Sequence, residues 1–115
     1  MRVEIKKKKG NTAILISFDT VRERFDSASE RNRFYWQLHG RKQVVIKQSK
    51  RYEYEREGLL EEIPNIKVAD SVFIVAMKNM ERMIKFFKEW EDKVEFETFP
   101  VLLDKEKIKE LRKEA

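Results

Sequence analysis

The amino-acid sequence predicts a single α+β domain of two layers, in which a mixed β-sheet packs against about three helices. Segments that alternate apolar and polar residues, as half-buried strands do, are interspersed with segments whose apolar residues recur three and four positions apart, as in amphipathic helices. The chain has 115 residues, of which 41% are hydrophobic. This is the size of one domain with its own core, and no repeat or low-complexity linker divides it. We therefore expect residues 1–115 to form one domain.

The chain is expected to open with a β-hairpin that has a basic tip. Residues 3–5 and 14–18 each alternate apolar and polar side chains. Gly10 and Asn11, between them, suit a tight turn with positive φ. Four consecutive lysines would stand at the tip, namely Lys6, Lys7, Lys8 and Lys9.

A helix is predicted over residues 28–39. The segment from Ser27 to Glu30 matches the capping box, in which a hydroxyl and a carboxylate satisfy the free amides of a helix start. Phe34 and Leu38 would share the inward face, and Gly40 stands where a left-handed residue commonly ends a helix. Residues 20–23 match the capping box too, so residues 20–26 form either a short preceding helix or the first turn of the same one.

A second hairpin is predicted after this helix. Val44 and Ile46 alternate with polar residues, Tyr52 and Tyr54 do the same, and the polar stretch 48–51 separates the two pairs. The connection over residues 58–64 has room for about one helical turn of 3.6 residues.

The remaining residues predict a β-α-β unit over 70–99 and a last helix. Residues 70–77 are the most apolar strand, which a central place in the sheet would explain. Asn79 would cap the helix of the unit, Pro100 would end its second strand, and Asp104 would cap the last helix. The crossover would be right-handed if the two strands pair in parallel. One apolar stripe on the helix of the unit is assigned to the core: Met80, Met83, Ile84, Phe87 and Trp90. The expected order is β-β-α-β-β-β-α-β-α.

Composition argues against several classes of protein. There is no cysteine and one histidine, His39, so zinc fingers, iron–sulfur clusters and disulfide scaffolds are not expected. Three glycines leave little material for a nucleotide-binding loop, and no Gly-x-Ser-x-Gly segment occurs. We therefore expect neither a cofactor nor a metal, and a chain that is not an enzyme. The alternative is a small nuclease whose Mg²⁺ would be held by Asp70, Glu95 and Glu97.

Charge is distributed unevenly along the chain. Residues 1–60 hold 15 lysines and arginines against 8 acidic residues, a net charge of +7, whereas residues 61–115 hold 11 against 13, a net charge of −2. A basic half of this kind suggests a polyanionic partner, and nucleic acid is the first candidate. Charged residues make up 41% of the chain, and the excess of Lys, Glu and Arg is typical of proteins from hot environments. No apolar run approaches the length of a membrane helix or a signal peptide, so a cytoplasmic location is expected and a membrane partner is not.

The predicted nucleic-acid contacts are basic residues that would neutralise phosphates and aromatic residues that would stack on bases. They comprise the four tip lysines already named together with Arg31, Arg33, Trp36, Arg41, Lys42, Lys47, Lys50, Arg51 and Tyr52. The favoured partner is RNA, or DNA in an architectural role.

Other interpretations of these residues remain open. The tip lysines would also discourage sheets from pairing edge to edge. Trp36 would serve equally in a dimer contact or against the neighbouring hairpin, and Tyr52 and Tyr54 would serve as core residues. The alternative function is accordingly a protein-interaction or homo-oligomeric module that does not bind nucleic acid.

Overall fold

The structure is a computed structural model and describes residues 11–112. This part of the chain contains six strands and four helices, so the predicted α+β class is confirmed. The strands are β1 (Thr12–Thr20), β2 (Arg41–Lys47), β3 (Lys50–Arg56), β4 (Asn65–Ala69), β5 (Val72–Ala76) and β6 (Val94–Leu102). The helices are α1 (Ala28–His39), α2 (Leu59–Glu62), α3 (Met80–Glu89) and α4 (Lys105–Arg112), with short 3-10 helices at Arg22–Arg24 and Met77–Asn79.

The main sheet has four strands in the order β4-β5-β1-β6, and each described pair of neighbours is antiparallel. The expectation of a mixed sheet is therefore wrong. β5 and β6 do run in the same direction on either side of α3, but β1 lies between them and pairs with both. The β-α-β unit thus exists as a connection across an intervening strand, without direct parallel pairing.

β4 was not expected from the sequence. It has five residues directly after Pro64, in which Ile66 and Val68 alternate with Asn65 and Lys67, and it pairs with β5 through a turn at Asp70 and Ser71. β5 then has a neighbour on both sides. This confirms the expected central place of the most apolar strand.

The second hairpin forms where it was predicted, but it does not join the main sheet. β2 and β3 make a separate two-stranded sheet, and none of their residues is buried. Both strands carry charged side chains on both faces, so neither face could enter a core without burying charge. Gln48 and Ser49 form the turn, with φ angles of 50° and 63°. The connection between the two strands is therefore shorter than the predicted polar stretch 48–51, because the strands stay paired as far as Lys47 and Lys50.

Most of the core lies on one face of the main sheet, under α1 and α3. Ile14, Ile16 and Phe18 of β1 pack there against Phe34 and Phe87, both fully buried. Phe18 lies 5.7 Å from Phe34 and 5.3 Å from Phe87 between ring centroids. The expected two-layer arrangement is thus present, and the apolar stripe of α3 belongs to this core through Met83 and Phe87.

α4 packs on the opposite face of the sheet. Its Ile108 and Leu111 are buried with Ala13 and Ile74, which alternate with the residues of the main core. The helix begins as predicted, because the Asp104 carboxylate accepts a hydrogen bond of 2.9 Å from the Lys107 amide.

Two further predicted helix ends are confirmed. The Ser27 hydroxyl accepts a hydrogen bond of 3.1 Å from the Glu30 amide, and α1 ends at Gly40 with φ of 83°. The Glu30 carboxylate reaches back one residue further than the capping box requires, to the amide of Asp26 at 2.9 Å.

Two predicted element ends are wrong, and a third, at Asn79, is placed correctly but lacks the expected hydrogen bond. Thr20 caps no helix: it is the last residue of β1, its hydroxyl lies 2.9 Å from that of Tyr35, and a separate 3-10 helix follows. Asn79 stands at the start of α3 but its side chain makes no capping hydrogen bond, because a 3-10 turn already leads into the helix. Pro100 lies within β6, which is the edge strand of the sheet that residues 11–112 form, and an edge strand tolerates a residue without an amide hydrogen.

The predicted opening strand at residues 3–5 and the tip at Lys6–Lys9 lie outside the described residues. Within residues 11–112, no helix combines the length and the hydropathy needed to cross a membrane.

Candidate nucleic-acid interface

The β2–β3 hairpin has two faces of different chemistry. Residues opposite each other in an antiparallel ladder project from the same face, and successive residues alternate between faces. The register pairs Arg41 with Arg56 and Lys47 with Lys50. One face, which we call the basic-aromatic face, therefore consists of Arg41, Gln43, Val45, Lys47, Lys50, Tyr52, Tyr54 and Arg56. The other, the reverse face, consists of Lys42, Val44, Ile46, Arg51, Glu53 and Glu55.

The charges of the two faces differ in kind. The basic-aromatic face carries two lysines and two arginines and contains no carboxylate. On the reverse face, Glu53 forms ion pairs of 3.3 Å with both Lys42 and Arg51. The reverse face is thus electrically balanced, whereas the basic-aromatic face has four cations and no carboxylate among its own residues. At its base, the Glu61 carboxylate approaches Gly40.

The aromatic residues of the basic-aromatic face are accessible. Tyr52 and Tyr54 are 41% and 47% exposed, so the interpretation of this pair as core residues is wrong. The residues opposite them are uncharged, Val45 facing Tyr52 and Gln43 facing Tyr54. The middle of the face is therefore an uncharged aromatic surface, and the cations stand at its two ends.

Trp36 extends this surface at the base of the hairpin. It lies on the side of α1 away from the core and is 40% exposed, and Arg41 of the neighbouring hairpin packs against it, as one of the three interpretations of Trp36 allowed. The Arg41 guanidinium carbon is 4.1 Å from the centre of the Trp36 ring. A similar but looser arrangement follows on β3, where the Arg56 guanidinium carbon is 6.0 Å from the Tyr54 ring and its Nε donates to the Gln43 side-chain oxygen at 3.2 Å.

Two glycines hold the hairpin to the body of the domain. A Cβ on Gly40 would stand 2.6 Å from the Arg56 carbonyl oxygen and 2.8 Å from the Gly58 nitrogen. A Cβ on Gly58 would stand 2.6 Å from the Leu38 carbonyl oxygen. The chain therefore enters and leaves the hairpin through one close backbone crossing, which fixes the hairpin relative to α1.

The predicted residues Arg33 and Arg31 do not join the basic-aromatic face. Arg33 lies 5.8 Å from the Trp90 ring and 3.8 Å from the Glu30 carboxylate. Arg31 borders a small cleft beside Arg22, near the beginning of α1. Arg31, five positions before Trp36, is turned about 140° from it around the helix. Arg33, three positions before Trp36, is only about 60° from it, but its guanidinium is directed towards Trp90 and Glu30.

Arg33 belongs instead to an ionic cluster that ties α1 to the start of β6. Lys93 donates to the Glu30 carboxylate and lies 3.5 Å from Asp26. The hydrogen bond from Lys93, together with the one from the Asp26 amide, lowers the pKa of the Glu30 carboxyl below its ordinary value. The same hydrogen bond raises the pKa of Lys93. This cluster stabilises the fold.

The structure thus divides the predicted contacts into three sets. Trp36, Arg41, Lys47, Lys50 and Tyr52 come together at the basic-aromatic face. Lys42, Arg51, Arg31 and Arg33 lie elsewhere, and Lys6, Lys7, Lys8 and Lys9 fall outside the described residues. Tyr54 and Arg56 belong to the face but were not among the predicted contacts, although alternation along β3 from Tyr52 would have found both.

The three carboxylates of the nuclease alternative are not brought together. Asp70 lies in the β4–β5 turn and pairs with Lys67 at 3.3 Å, whereas Glu95 lies on β6, at the other edge of the sheet, and pairs with Arg24 at 3.3 Å. In the described part of the chain, no group of three His, Asp or Glu side chains is placed to hold a metal ion.

His39 lies beside the Tyr35 ring, with centroids 6.3 Å apart. Burial lowers the pKa of the His39 imidazole, and the positive charge of Lys67 lowers it further. Its ring is therefore neutral at pH 7, so it adds no cation to the surface.

Comparison of the chain with protein-family descriptions, with curated proteins and with solved structures finds no match. Any functional assignment therefore depends on the geometry of the site.

Proposed function

We propose that this protein is a non-catalytic nucleic-acid-binding module, RNA-associated or architectural, whose contact surface is the basic-aromatic face together with Trp36. The observation that carries the proposal is the separation of charge on the hairpin. Four cations share one face with two exposed tyrosines, and the carboxylates of the hairpin strands all project from the other.

A hairpin that only needs to be soluble does not require its carboxylates and its unpaired cations to lie on different faces. Charges of both signs make a hairpin as soluble as charges of a single sign do. The reverse face carries such a mixture of lysine, arginine and glutamate. A polyanion, by contrast, requires cations without neighbouring carboxylates. Each phosphate that such a cation neutralises releases condensed counterions, and this release favours binding irrespective of sequence.

The aromatic residues supply the second type of contact. Nucleic acid is a polyanion that also presents flat aromatic surfaces, and exposed tyrosines on a basic sheet suit unstacked bases. A purely phosphate-bearing or carboxylate-bearing partner would make no use of Tyr52, Tyr54 and Trp36.

A salt titration tests the proposal. Binding of a fluorescently labelled oligonucleotide of about 12 nucleotides is followed by anisotropy from about 50 to 200 mM salt. With four phosphate contacts, we expect the logarithm of the affinity to fall with the logarithm of the salt concentration with a slope of about −3 for a single strand. No binding at low salt, or an affinity that ignores salt, would contradict the proposal.

A second function is favoured by the reverse face. Val44 and Ile46 are 45% and 73% exposed there, surrounded by balanced charges that a second copy of the chain could complement. In that case the hairpin would be a homodimer contact. Sedimentation velocity distinguishes the two: a dimer that dissociates on Ile46→Glu supports the contact, and a monomer at all concentrations rejects it.

A cytoplasmic location and a source adapted to high temperature remain predictions from composition. The second is checked by thermal unfolding, for which we expect a midpoint above the range of about 45–65 °C that is usual for domains from moderate temperatures.

A further inference from the structure

The basic-aromatic face has a regular spacing that limits what can bind along it. Its four opposed pairs, from Arg41 and Arg56 at the base to Lys47 and Lys50 at the tip, follow one another at every second residue. Two residues of antiparallel strand span about 7 Å, so the face is a stripe of about 20 Å. The two middle positions along β3 are occupied by Tyr52 and Tyr54.

This spacing does not fit stacked bases. Bases along one strand of a duplex are about 3.4 Å apart, which is half the separation of the two tyrosines. Bases that lie on neighbouring tyrosine rings must therefore have separated from each other. Separated bases occur in unpaired strands, whose exposed ring faces are free to stack on aromatic side chains.

The middle of the stripe is also poorly suited to reading a duplex. A two-stranded ribbon can enter the major groove, but there it recognises base edges through donors and acceptors. Val45 has none to offer, and the side-chain oxygen of Gln43 already accepts from Arg56. The Gln43 amide hydrogens and the two tyrosine hydroxyls remain as polar groups, but the largest accessible surfaces are the rings of Tyr52 and Tyr54. A duplex cannot use these flat surfaces because its own bases cover one another.

We propose that the basic-aromatic face binds an unpaired polynucleotide strand in preference to a duplex, with neighbouring bases separated onto Tyr52 and Tyr54. This inference rests on the proposed function. Phosphates on either side of the stacked bases meet the cationic ends of the stripe, Arg41 with Arg56 and Lys47 with Lys50. Trp36, which Arg41 covers on one side, offers a third ring surface at the base.

The test compares three probes with the intact protein. These are a mixed-sequence RNA of about 12 nucleotides, the corresponding DNA strand, and the RNA annealed to its complement. At about 100 mM salt we expect at least one of the single strands to bind about tenfold or more tightly than the duplex, because stacking adds to the phosphate contacts that both can make. A preference between the two single strands identifies which polynucleotide the face suits better.

Variants of one tyrosine separate stacking from charge. Tyr54→Leu should weaken single-strand binding by roughly 5- to 150-fold and leave duplex binding unchanged, since the charge is the same and only the ring is lost. Tyr54→Phe should bind within about twofold of the unaltered protein, because the ring is what stacks. Phe99→Leu, which removes a ring of the same 47% exposure from β6, outside the hairpin, is the matched control and should have no effect on either probe.

The outcomes distinguish this inference from the proposed function. If the duplex binds as tightly as both single strands, the preference for unpaired strands is wrong and nucleic-acid binding stands. Loss of binding in Tyr54→Phe would show that the hydroxyl, not the ring, makes the contact, and would overturn the stacking arrangement. If none of the three probes binds, the proposed function fails and this inference fails with it.

Discussion

The guanidinium of Arg41 covers the ring of Trp36 at a distance of 4.1 Å. Trp36 belongs to the last turn of α1 and Arg41 is the first residue of β2, so the contact bridges the chain reversal at Gly40. It joins the body of the domain to a hairpin that has no strand partner in the main sheet. An isolated two-stranded hairpin is marginally stable in water, so the contacts at its base matter for its orientation.

A double-mutant cycle measures that contact. We expect Arg41→Gln and Trp36→Leu to show a coupling of about 0.5–1 kcal/mol in the free energy of unfolding, as is usual for an exposed cation over an aromatic ring. Urea unfolding of the two single variants, the double variant and the unaltered protein supplies the four values. If the two changes are additive, the contact contributes nothing to stability.

The crossing of Gly40 and Gly58 should not accept a side chain. Gly40→Ala adds a Cβ 2.6 Å from the Arg56 carbonyl oxygen at a residue with φ of 83°, and both the clash and the left-handed backbone are unfavourable. We expect a loss of about 2–4 kcal/mol in the free energy of unfolding. Gly58→Ala should also destabilise, through clashes with the backbone of Gly40, His39 and Leu38 and without strain from its own φ of −89°. Asn32→Ala, at an exposed position of α1, is the control and should stay within about 0.5 kcal/mol; unchanged stability in both glycine variants would contradict the close crossing.

The turn of the hairpin uses residues that its backbone does not favour. Gln48 and Ser49 both have positive φ, a geometry for which Asn-Gly is the preferred pair. We expect the double change Gln48→Asn and Ser49→Gly to stabilise the hairpin by about 1 kcal/mol, because the left-handed conformation is less strained in both new residues. Hydrogen exchange of the β2 and β3 amides should slow accordingly, whereas exchange in β1 should stay the same. Faster exchange in the hairpin would show that the turn adopts another geometry.

The Glu30–Lys93 contact predicts how stability depends on pH. The pKa of the Glu30 carboxyl is lowered from 4.5 in the folded chain, so the unfolded chain binds its proton first as the pH falls. The contribution of Glu30 is therefore fully present above about pH 5 to 6 and is lost as the pH falls through 4.5 towards the lowered pKa. Glu30→Gln should be less stable than the unaltered protein at pH 7, and this difference should shrink on acidification. Glu91→Gln, at an exposed carboxylate, is the control; an unchanged difference between pH 7 and pH 3 would contradict the role of the carboxylate.

Much of the fold could be predicted from the sequence, because for most elements the local sequence signals and the pattern of buried residues indicate the same structure. The capping residue Ser27, the left-handed Gly40 and the apolar stripe of α3 each predicted an element that forms. The mixed sheet was wrong because pairing depends on which strands become neighbours. Nothing local in residues 70–99 indicates that β1 inserts between β5 and β6. β4 is a different case, because the alternation of Ile66 and Val68 with Asn65 and Lys67 is a local strand signal from which it could have been predicted.

The candidate site was predicted in part. The basic half of the chain pointed to the β2–β3 hairpin, and of the three interpretations of Trp36 the one in which it packs against that hairpin describes its contact with Arg41. However, a list of cations does not say which of them share a face. Lys42 and Arg51 are as basic as Lys47 and Lys50, yet the register places them with Glu53 on the reverse face. That distinction requires the turn to be located at Gln48 and Ser49, because a shift of one residue would exchange the two faces.

The most direct test of the central claim uses two double variants with the same change in charge. Lys50→Gln with Arg56→Gln removes one lysine and one arginine from the basic-aromatic face, and Lys42→Gln with Arg51→Gln removes the same pair of residue types from the reverse face. Both are titrated with the single-stranded probe across the salt series. We predict that the first variant binds more weakly and that its salt slope is smaller in magnitude by about 1.4, which corresponds to two phosphate contacts, whereas the second retains the affinity and slope of the unaltered protein. Equal losses in both variants would contradict the claim, because binding would then follow net charge and not the face that carries it.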